Sequence, residues 1–165
     1  MIQRRRLAQL PVILVTGADS GIGLAIAQKF AAAGYRVALC GIDRKKGARA
    51  LATIANGDGA YFVADVRREN QIERLVRQTV ERFGRLDVLC NNAGIQKLGA
   101  LEKSSTWVWD DVMAVNLRGA YLTTKYALAH LKFSKGAIVN IASIDRKSTR
   151  LNSSHIQKSR MPSSA

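Results

Sequence analysis

The chain of 165 residues carries a formal net charge of +14, and 47% of its residues are hydrophobic. That length suits one domain with a single core, and the basic excess raises nucleic acid or a membrane surface as partners. The basic residues are scattered without interleaved aromatic residues, and no apolar run approaches the length of a membrane span, so the sequence argues against both.

Short apolar runs alternate with helical patterns along the chain. The predicted strands are Val12–Val15, Arg36–Cys40, Ala60–Val63, Leu86–Cys90 and Ala137–Ile141. The predicted helices are Gly21–Ala33, Arg44–Ala55, Glu69–Phe83 and Trp109–Leu131, and Gly34 and Gly84 are expected C-terminal caps. This alternation predicts an α/β fold with a doubly wound parallel sheet, whose ligand lies outside the carboxyl ends of the strands.

Three glycines separate the first predicted strand from the first predicted helix, in the loop Thr16–Gly23 with the sequence TGADSGIG. Without Cβ atoms, Gly17, Gly21 and Gly23 let the backbone turn sharply and come close to a pyrophosphate. The phosphates would accept hydrogen bonds from the unpaired N–H groups at the helix N-terminus. The loop therefore indicates nucleotide binding, with a plain strand-to-helix turn as the alternative.

A second motif, NNAG at Asn91–Gly94, ends the fourth predicted strand in amides and small residues. Together with the glycine loop it resembles the short-chain dehydrogenase/reductase family, over about Val12 to Ile144. The resemblance implies a Rossmann-type fold that binds NAD or NADP. In that family the loop holds the pyrophosphate and the NNAG turn lies against the adenine ribose. The matching residues are Gly17, Ser20, Gly21, Ile22 and Gly23 for the loop, and Asn92, Ala93 and Gly94 for the turn.

Four further positions match the family. The resemblance implies that the Asp65 carboxylate and the backbone N–H of Val66 hold the adenine ring. It implies that Asn116 is the catalytic asparagine, which bends its helix and holds a water of the proton relay. Ser143, which follows the fifth predicted strand, matches the catalytic serine that hydrogen-bonds the substrate oxygen. A polar residue at a strand end is the alternative reading of Ser143.

The end of the second predicted strand leaves NAD and NADP open. Asp43 lies twenty residues after Gly23, which is the spacing of a carboxylate that accepts the ribose 2′-hydroxyl and favours NAD. Register against the family instead puts Gly41 at that carboxylate's position and Ile42 where a phosphate-binding arginine often lies. The basic side chains of Arg44–Lys46 could meet a 2′-phosphate or could form a solvated first helical turn.

The family's Tyr-x-x-x-Lys pair is missing. In the family the lysine lowers the pKa of the tyrosine, which passes a proton as hydride moves to or from the nicotinamide. Counting on from Ser143 gives Ile156 and Arg160, which cannot do this chemistry. Tyr121–Lys125 has the right spacing but precedes the serine, on the helix that carries Asn116, so we interpret it as unrelated. We expect this chain to be inactive.

The residues after Ile144 change abruptly to Ser, Lys, Arg and Asn with no apolar period. DRKSTRLNSSH, at 145–155, and SRMPSSA, at 159–165, resemble one reading frame of the adapter used in short-read DNA sequencing. The three residues between them fall where a variable sample index belongs. We therefore expect a nucleotide-binding domain over 1–144, with its sheet truncated after the fifth strand, and an artefactual disordered tail over 145–165. A natural basic tail is the alternative.

The resemblance implies a small alcohol or carbonyl substrate, and a homodimer or homotetramer for the full-length protein. The alternative function is a non-catalytic NAD(P) sensor or interaction protein, against which Asn116 and Ser143 argue. Two histidines cannot form a zinc site alone, so no metal is expected. Cys40 and Cys90 end predicted buried strands as free thiols, which suits a reduced, cytoplasmic protein.

Overall fold

The computed structural model describes residues 10–54, 58–97 and 100–142. Its described part contains a five-stranded sheet in the order β3-β2-β1-β4-β5, and every neighbouring pair of strands is parallel. The strands are β1 (Val12–Thr16), β2 (Arg36–Gly41), β3 (Gly59–Val63), β4 (Val88–Asn91) and β5 (Ala137–Asn140). The predicted α/β fold with a doubly wound parallel sheet is confirmed.

Helices connect successive strands and cover both faces of the sheet. They are α1 (Gly21–Ala32), α2 (Arg44–Ala52), α3 (Glu69–Phe83), α4 (Thr106–Met113) and α5 (Gly119–Ser134). Gly84 caps α3 with φ +79°, and Gly34 follows the end of α1 with φ +88°, so both predicted caps use the left-handed conformation that glycine tolerates.

Alternate side chains of β1 pack into two separate hydrophobic cores, one on each face of the sheet. Val12 and Leu14 pack with the apolar residues of α3 and α5, whereas Ile13 and Val15 pack with α1 and α2. A strand buried on both faces needs a continuous apolar sequence, which is why β1 has no polar alternation. The carboxyl ends of β1 to β4 therefore meet at one edge, above a rigid, solvent-free support.

The fourth predicted helix is longer than its pattern indicated, and it is not uniform. The α4 helix begins at Thr106, and a π-helical turn over Ala114–Arg118 joins it to α5. The turn contains Asn116, whose side chain forms hydrogen bonds with the backbone of Ile95, outside the helix. The family resemblance implied a bend at Asn116, whereas the 3.6-residue pattern alone does not reveal the π-helical turn that the structure has there.

Boundaries elsewhere differ from the predicted ones by a few residues. The α2 helix ends at Ala52, and the predicted end at Ala55 lies outside the described residues. β4 begins at Val88, and the carboxylate of the preceding residue, Asp87, accepts a hydrogen bond from the Val12 N–H at 2.8 Å. No helix in the described part of the chain is both long and apolar enough to span a bilayer.

Candidate functional site

A cleft of about 450 Å³ opens at the carboxyl edge of the sheet. Its walls come from the residues that follow β1, β2, β3 and β4, with α4 closing one side. Gly17, Asp65, Val66, Ala93 and Gly94, predicted from the sequence, all line it. The strand ends therefore bring together residues from separate motifs, as expected for a ligand site of a doubly wound sheet.

The loop between β1 and α1 is shaped by its three glycines. Gly17 has φ +62° and Gly21 has φ +54°, a region that other residues enter at a cost. A Cβ on Gly23 would lie 2.2 Å from the Gly17 carbonyl oxygen, so only glycine fits there without backbone movement. A Cβ on Gly21 would meet nothing within 4 Å and would point into open space. The loop is compact on its inner side and open on its outer side.

The N-terminus of α1 opens toward that outer side. Ser20 is its N-cap residue, but the Ser20 side chain makes no capping hydrogen bond, and the first turn holds no acidic residue. Ile22 beside it is 65% exposed. Within the described part of the chain, the first backbone N–H groups of α1 thus have no side-chain acceptor, and the helix dipole adds positive potential. An anion such as a phosphate suits this position.

The NNAG turn supports the loop from within the protein. The Asn92 Nδ2 donates to the backbone oxygens of Thr16 and Gly17, each at 3.0 Å. The Thr16 hydroxyl accepts hydrogen bonds from the N–H groups of Asn92 and Ala93 at 3.0 and 3.1 Å. A Cβ on Gly17 would lie 2.9 Å from the Ala93 Cα. The two motifs therefore form one unit, and the Asn92 amide is committed to holding the loop.

Asp43, two residues after the end of β2, caps the N-terminus of α2. Its Oδ1 accepts hydrogen bonds from the N–H groups of Lys45 and Lys46 at 2.8 and 3.0 Å, which makes it the N-cap of α2. These hydrogen bonds hold the pKa of the Asp43 carboxyl below its ordinary value. Asp43 is not among the described residues that line the cleft.

An ion-pair network that the sequence did not reveal lies across the cleft. The Arg67 guanidinium contacts Asp65 Oδ2 at 2.7 Å and Asp111 Oδ1 at 2.6 Å. Asp111 also pairs with the Lys97 Nζ at 2.7 Å. Hydrogen bonds from Arg67 keep the pKa of Asp65 low, so its carboxylate stays an anionic acceptor. Arg67 lies two residues after a predicted site residue, but its bond to Asp111 depends on the folded chain.

The Asn116 side chain connects the π-helical turn to the irregular segment that follows β4. Its Oδ1 accepts from the Ile95 N–H at 2.8 Å, and its Nδ2 donates to the Ile95 carbonyl at 2.9 Å. Asn116, Tyr121 and Asn140 line a second depression beside β5. The position of Ser143, two residues beyond Ile141, lies outside the described residues.

Tyr121 and Lys125 do not act as a pair in this structure. The Lys125 Nζ contacts the Glu69 Oε1 at 2.8 Å, on the side of α5 that faces α3. The ring of Tyr121 is 63% exposed beside the second depression. The hydrogen bond with Glu69 raises the pKa of Lys125, so the amine is held as a cation by a structural partner.

Comparison with known proteins places this architecture among oxidoreductases. The model of the family described as short chain dehydrogenase matches residues 11–155. An uncharacterized oxidoreductase of Thermotoga maritima is 43% identical over 135 residues, which are 80% of this chain and 53% of that protein. The L-fucose dehydrogenase of Oryctolagus cuniculus is 40% identical over 134 residues, covering 81% of this chain and 46% of that protein.

A solved structure agrees with these relatives. The crystal structure of an actinorhodin polyketide ketoreductase variant with NADPH superposes with a TM-score of 0.78 at 38% identity. The match covers 82% of this chain and 54% of the ketoreductase chain. This chain therefore spans about half the length of the curated relatives and the solved structure that it matches.

Proposed function

Because the chain belongs to the short-chain dehydrogenase family, we propose that it is the nucleotide-binding part of an NAD(P)-dependent oxidoreductase of alcohols or carbonyl compounds. The observation that carries this proposal is the glycine loop. Its outer face leaves open space at Gly21, beside helix N–H groups that have no side-chain acceptor. When bound, NAD(P) supplies or accepts the hydride.

The residues of the cleft fit such a cofactor. The N-terminus of α1, with Ser20 to Gly23, would hold the pyrophosphate through backbone N–H groups. Val66 is 7% exposed and lines the cleft beside the anionic Asp65, which suits an adenine ring that needs an apolar contact and a hydrogen-bond acceptor. Ala93 and Gly94 leave room for the adjacent ribose, since neither carries a bulky side chain.

We further propose that Asn116 and Ser143 belong to the reacting end of the site. Asn116 lies in the π-helical turn with both amide atoms bonded to Ile95, so its backbone, held rigidly, is the part available to position a water. Residues 156 and 160 are Ile and Arg, so the acid-base pair that the family uses is missing from this chain. Such a pair contributes about a hundred- to ten-thousand-fold in rate, so we expect no measurable turnover of alcohols or ketones.

The segment 145–165 is proposed to lie outside the domain, because its composition departs from the alternating pattern of the rest. The family match overlaps this segment at 145–155. Because the segment is proposed to lie outside the domain, deleting 145–165 is expected to leave nucleotide affinity unchanged. For the whole protein we propose a cytoplasmic homodimer or homotetramer that acts on a small molecule and does not bind nucleic acid.

Two glycines offer a matched test of the nucleotide site. Gly21 and Gly84 both have positive φ, and a Cβ on either meets nothing within 4 Å, so Gly21→Leu and Gly84→Leu carry similar backbone strain. Only Gly21 lies in the proposed pyrophosphate loop. We expect Gly21→Leu to weaken NADH and NADPH binding more than tenfold in a fluorescence titration, whereas Gly84→Leu leaves binding unchanged.

Circular dichroism checks that both variants fold. Equal affinity in the two variants would reject the glycine loop as the nucleotide site. Failure of the unmodified chain to bind either nucleotide would reject the proposed function itself. Turnover of an alcohol or ketone that disappears on replacing Tyr121 would instead show that this chain is a complete catalyst with an unexpected acid.

A further inference from the structure

Among the carboxylates that line the cleft, that of Asp19 has no cationic partner in the described part of the chain. Asp65 and Asp111, which line the same cleft, are paired with Arg67 and Lys97. Asp19 forms no ion pair with any described residue, and the hydrogen bond it accepts from the Ser20 hydroxyl is long, at 3.4 Å. A half-buried carboxylate with no ionic partner and only one long hydrogen bond can accept a further hydrogen bond from a ligand.

The position of Asp19 is fixed by the pairing of the first two strands. The N–H of Ala18 donates to the carbonyl oxygen of Cys40 at 2.9 Å, which holds the loop against the end of β2. A Cβ built on Gly41 would lie 2.7 Å from the Asp19 Oδ2 and 2.6 Å from the Tyr61 hydroxyl oxygen. The Asp19 carboxylate therefore occupies the space that a side chain at the end of β2 would fill.

That space has a defined role in dinucleotide-binding folds, since a carboxylate at the end of the second strand accepts the 2′-hydroxyl of the adenosine ribose. Neither the last residue of β2 nor the nearby carboxylate of Asp43 is available to supply it. Gly41 has no side chain, and Asp43 caps α2. We propose that Asp19, from the loop after β1, supplies the ribose-binding carboxylate and makes the cleft selective for NAD over NADP. This inference rests on the proposed nucleotide-binding function.

Selectivity follows from charge. A ribose 2′-hydroxyl can donate a hydrogen bond to an anionic oxygen, whereas a 2′-phosphate at the same place would bring a second negative charge against it. The Tyr61 hydroxyl cannot relieve this repulsion, because it donates to the Asp43 carbonyl oxygen at 2.9 Å. The basic residues Arg44–Lys46 lie on the exposed first turn of α2, beyond Asp43, where solvent screens them.

The test compares NADH with NADPH on the full chain, in fluorescence titrations at low ionic strength. The unmodified chain is expected to bind NADH at least tenfold more tightly than NADPH. Asp19→Asn removes the charge at constant shape, and it should bring the two affinities within about threefold of each other. Asp43→Asn is the matched control, because it neutralises the other carboxylate of this region, and it should leave the preference for NADH intact.

Each other outcome has a defined meaning. Binding of both nucleotides with equal affinity by the unmodified chain, or a preference for NADPH, overturns the role of Asp19 while leaving the nucleotide site in place. Loss of the preference in Asp43→Asn but not in Asp19→Asn assigns the ribose to Asp43 and likewise overturns it. Binding of neither nucleotide rejects the proposed function and this inference together. Asp19→Ser, a smaller neutral variant, replaces Asp19→Asn if circular dichroism shows that the latter misfolds.

Discussion

β2 and β5 are both parallel strands of one sheet, yet they differ completely in burial. Each residue of β2 is buried, as is each residue of β1 beside it. Each residue of β5 is exposed, although β5 makes the same type of backbone pairing with β4. Backbone pairing alone therefore does not create a core, because burial requires helices on both faces.

The same division runs through the candidate site. The proposed nucleotide half lies above β1 and β2, where the loop is held by Asn92 and Thr16 from within the protein. The proposed reacting half lies beside β5, where Ile138, Val139 and Ile141 are 38 to 42% exposed. We infer that the nucleotide half is preorganised by the core, while the other half lacks that support in the described residues.

Two isoleucines on strands offer the sharpest test of this difference. Ile13 in β1 is fully buried, and Ile138 in β5 is 38% exposed. Ile13→Ala should lower the free energy of unfolding by about 2–5 kcal/mol, because it leaves a cavity between two packed layers. Ile138→Ala should cost less than about 1 kcal/mol. Urea denaturation measures both, and losses of equal size would show that β5 is covered in solution.

Two threonines extend the comparison to polar contacts. The Thr16 hydroxyl accepts hydrogen bonds from two backbone N–H groups next to the glycine loop, whereas among the described residues the Thr124 hydroxyl on α5 accepts one from the Asn91 amide alone, at 3.2 Å. Thr16→Val should cost about 1–3 kcal/mol, since it leaves N–H groups of the NNAG turn unpaired. Thr124→Val should cost at most about 1 kcal/mol. Thermal unfolding of the pair checks the order, and the reverse order would contradict it.

The exclusion of water from the buried Cys40 thiol of β2 should affect the pH dependence of the free energy of unfolding. Burial, followed by the negative charges of Asp19 and Asp65, raises the pKa of Cys40 to about 12. The thiol thus stays protonated in the folded chain while it ionises near pH 9 in the unfolded chain. Stability is complete below that pH and falls as pH rises, by about 1 kcal/mol at pH 10.

Cys40→Ala removes this contribution, so the stability of the variant should fall less between pH 8 and pH 10 than that of the unmodified chain. Equal falls would mean that water reaches the thiol. In the same range, Cys40 should resist alkylation until urea unfolds the chain, because the thiolate is the reactive form.

Local sequence was sufficient for the alternating elements and for the glycine loop. Apolar runs and helical periods report burial directly, and the positive φ values of Gly17 and Gly21 follow from a loop that must turn within a few residues. The caps at Gly34 and Gly84 were predicted for the same reason, since a helix end is decided by its own residues. The family resemblance implied a bend at Asn116, but the π-helical form of that bend and the contact of its side chain with Ile95, 21 residues earlier, are not visible in the local sequence pattern.

The two carboxylates near the end of β2 show what the sequence alone could not predict. Which of them faces the cleft depends on the tertiary structure. By spacing alone, Asp43 is the natural partner of a ribose, but its carboxylate accepts hydrogen bonds from two backbone N–H groups within the next three residues. Asp19 gives no such signal in the sequence, because its neighbour Gly41 is 22 positions away. Only the pairing of β1 with β2 and the bond from Ala18 to Cys40 bring that carboxylate to the end of β2. Short-range hydrogen bonds decide the local role of one segment, as at Asp43, whereas the meeting of strand ends decides which side chains line the cleft, as at Asp19.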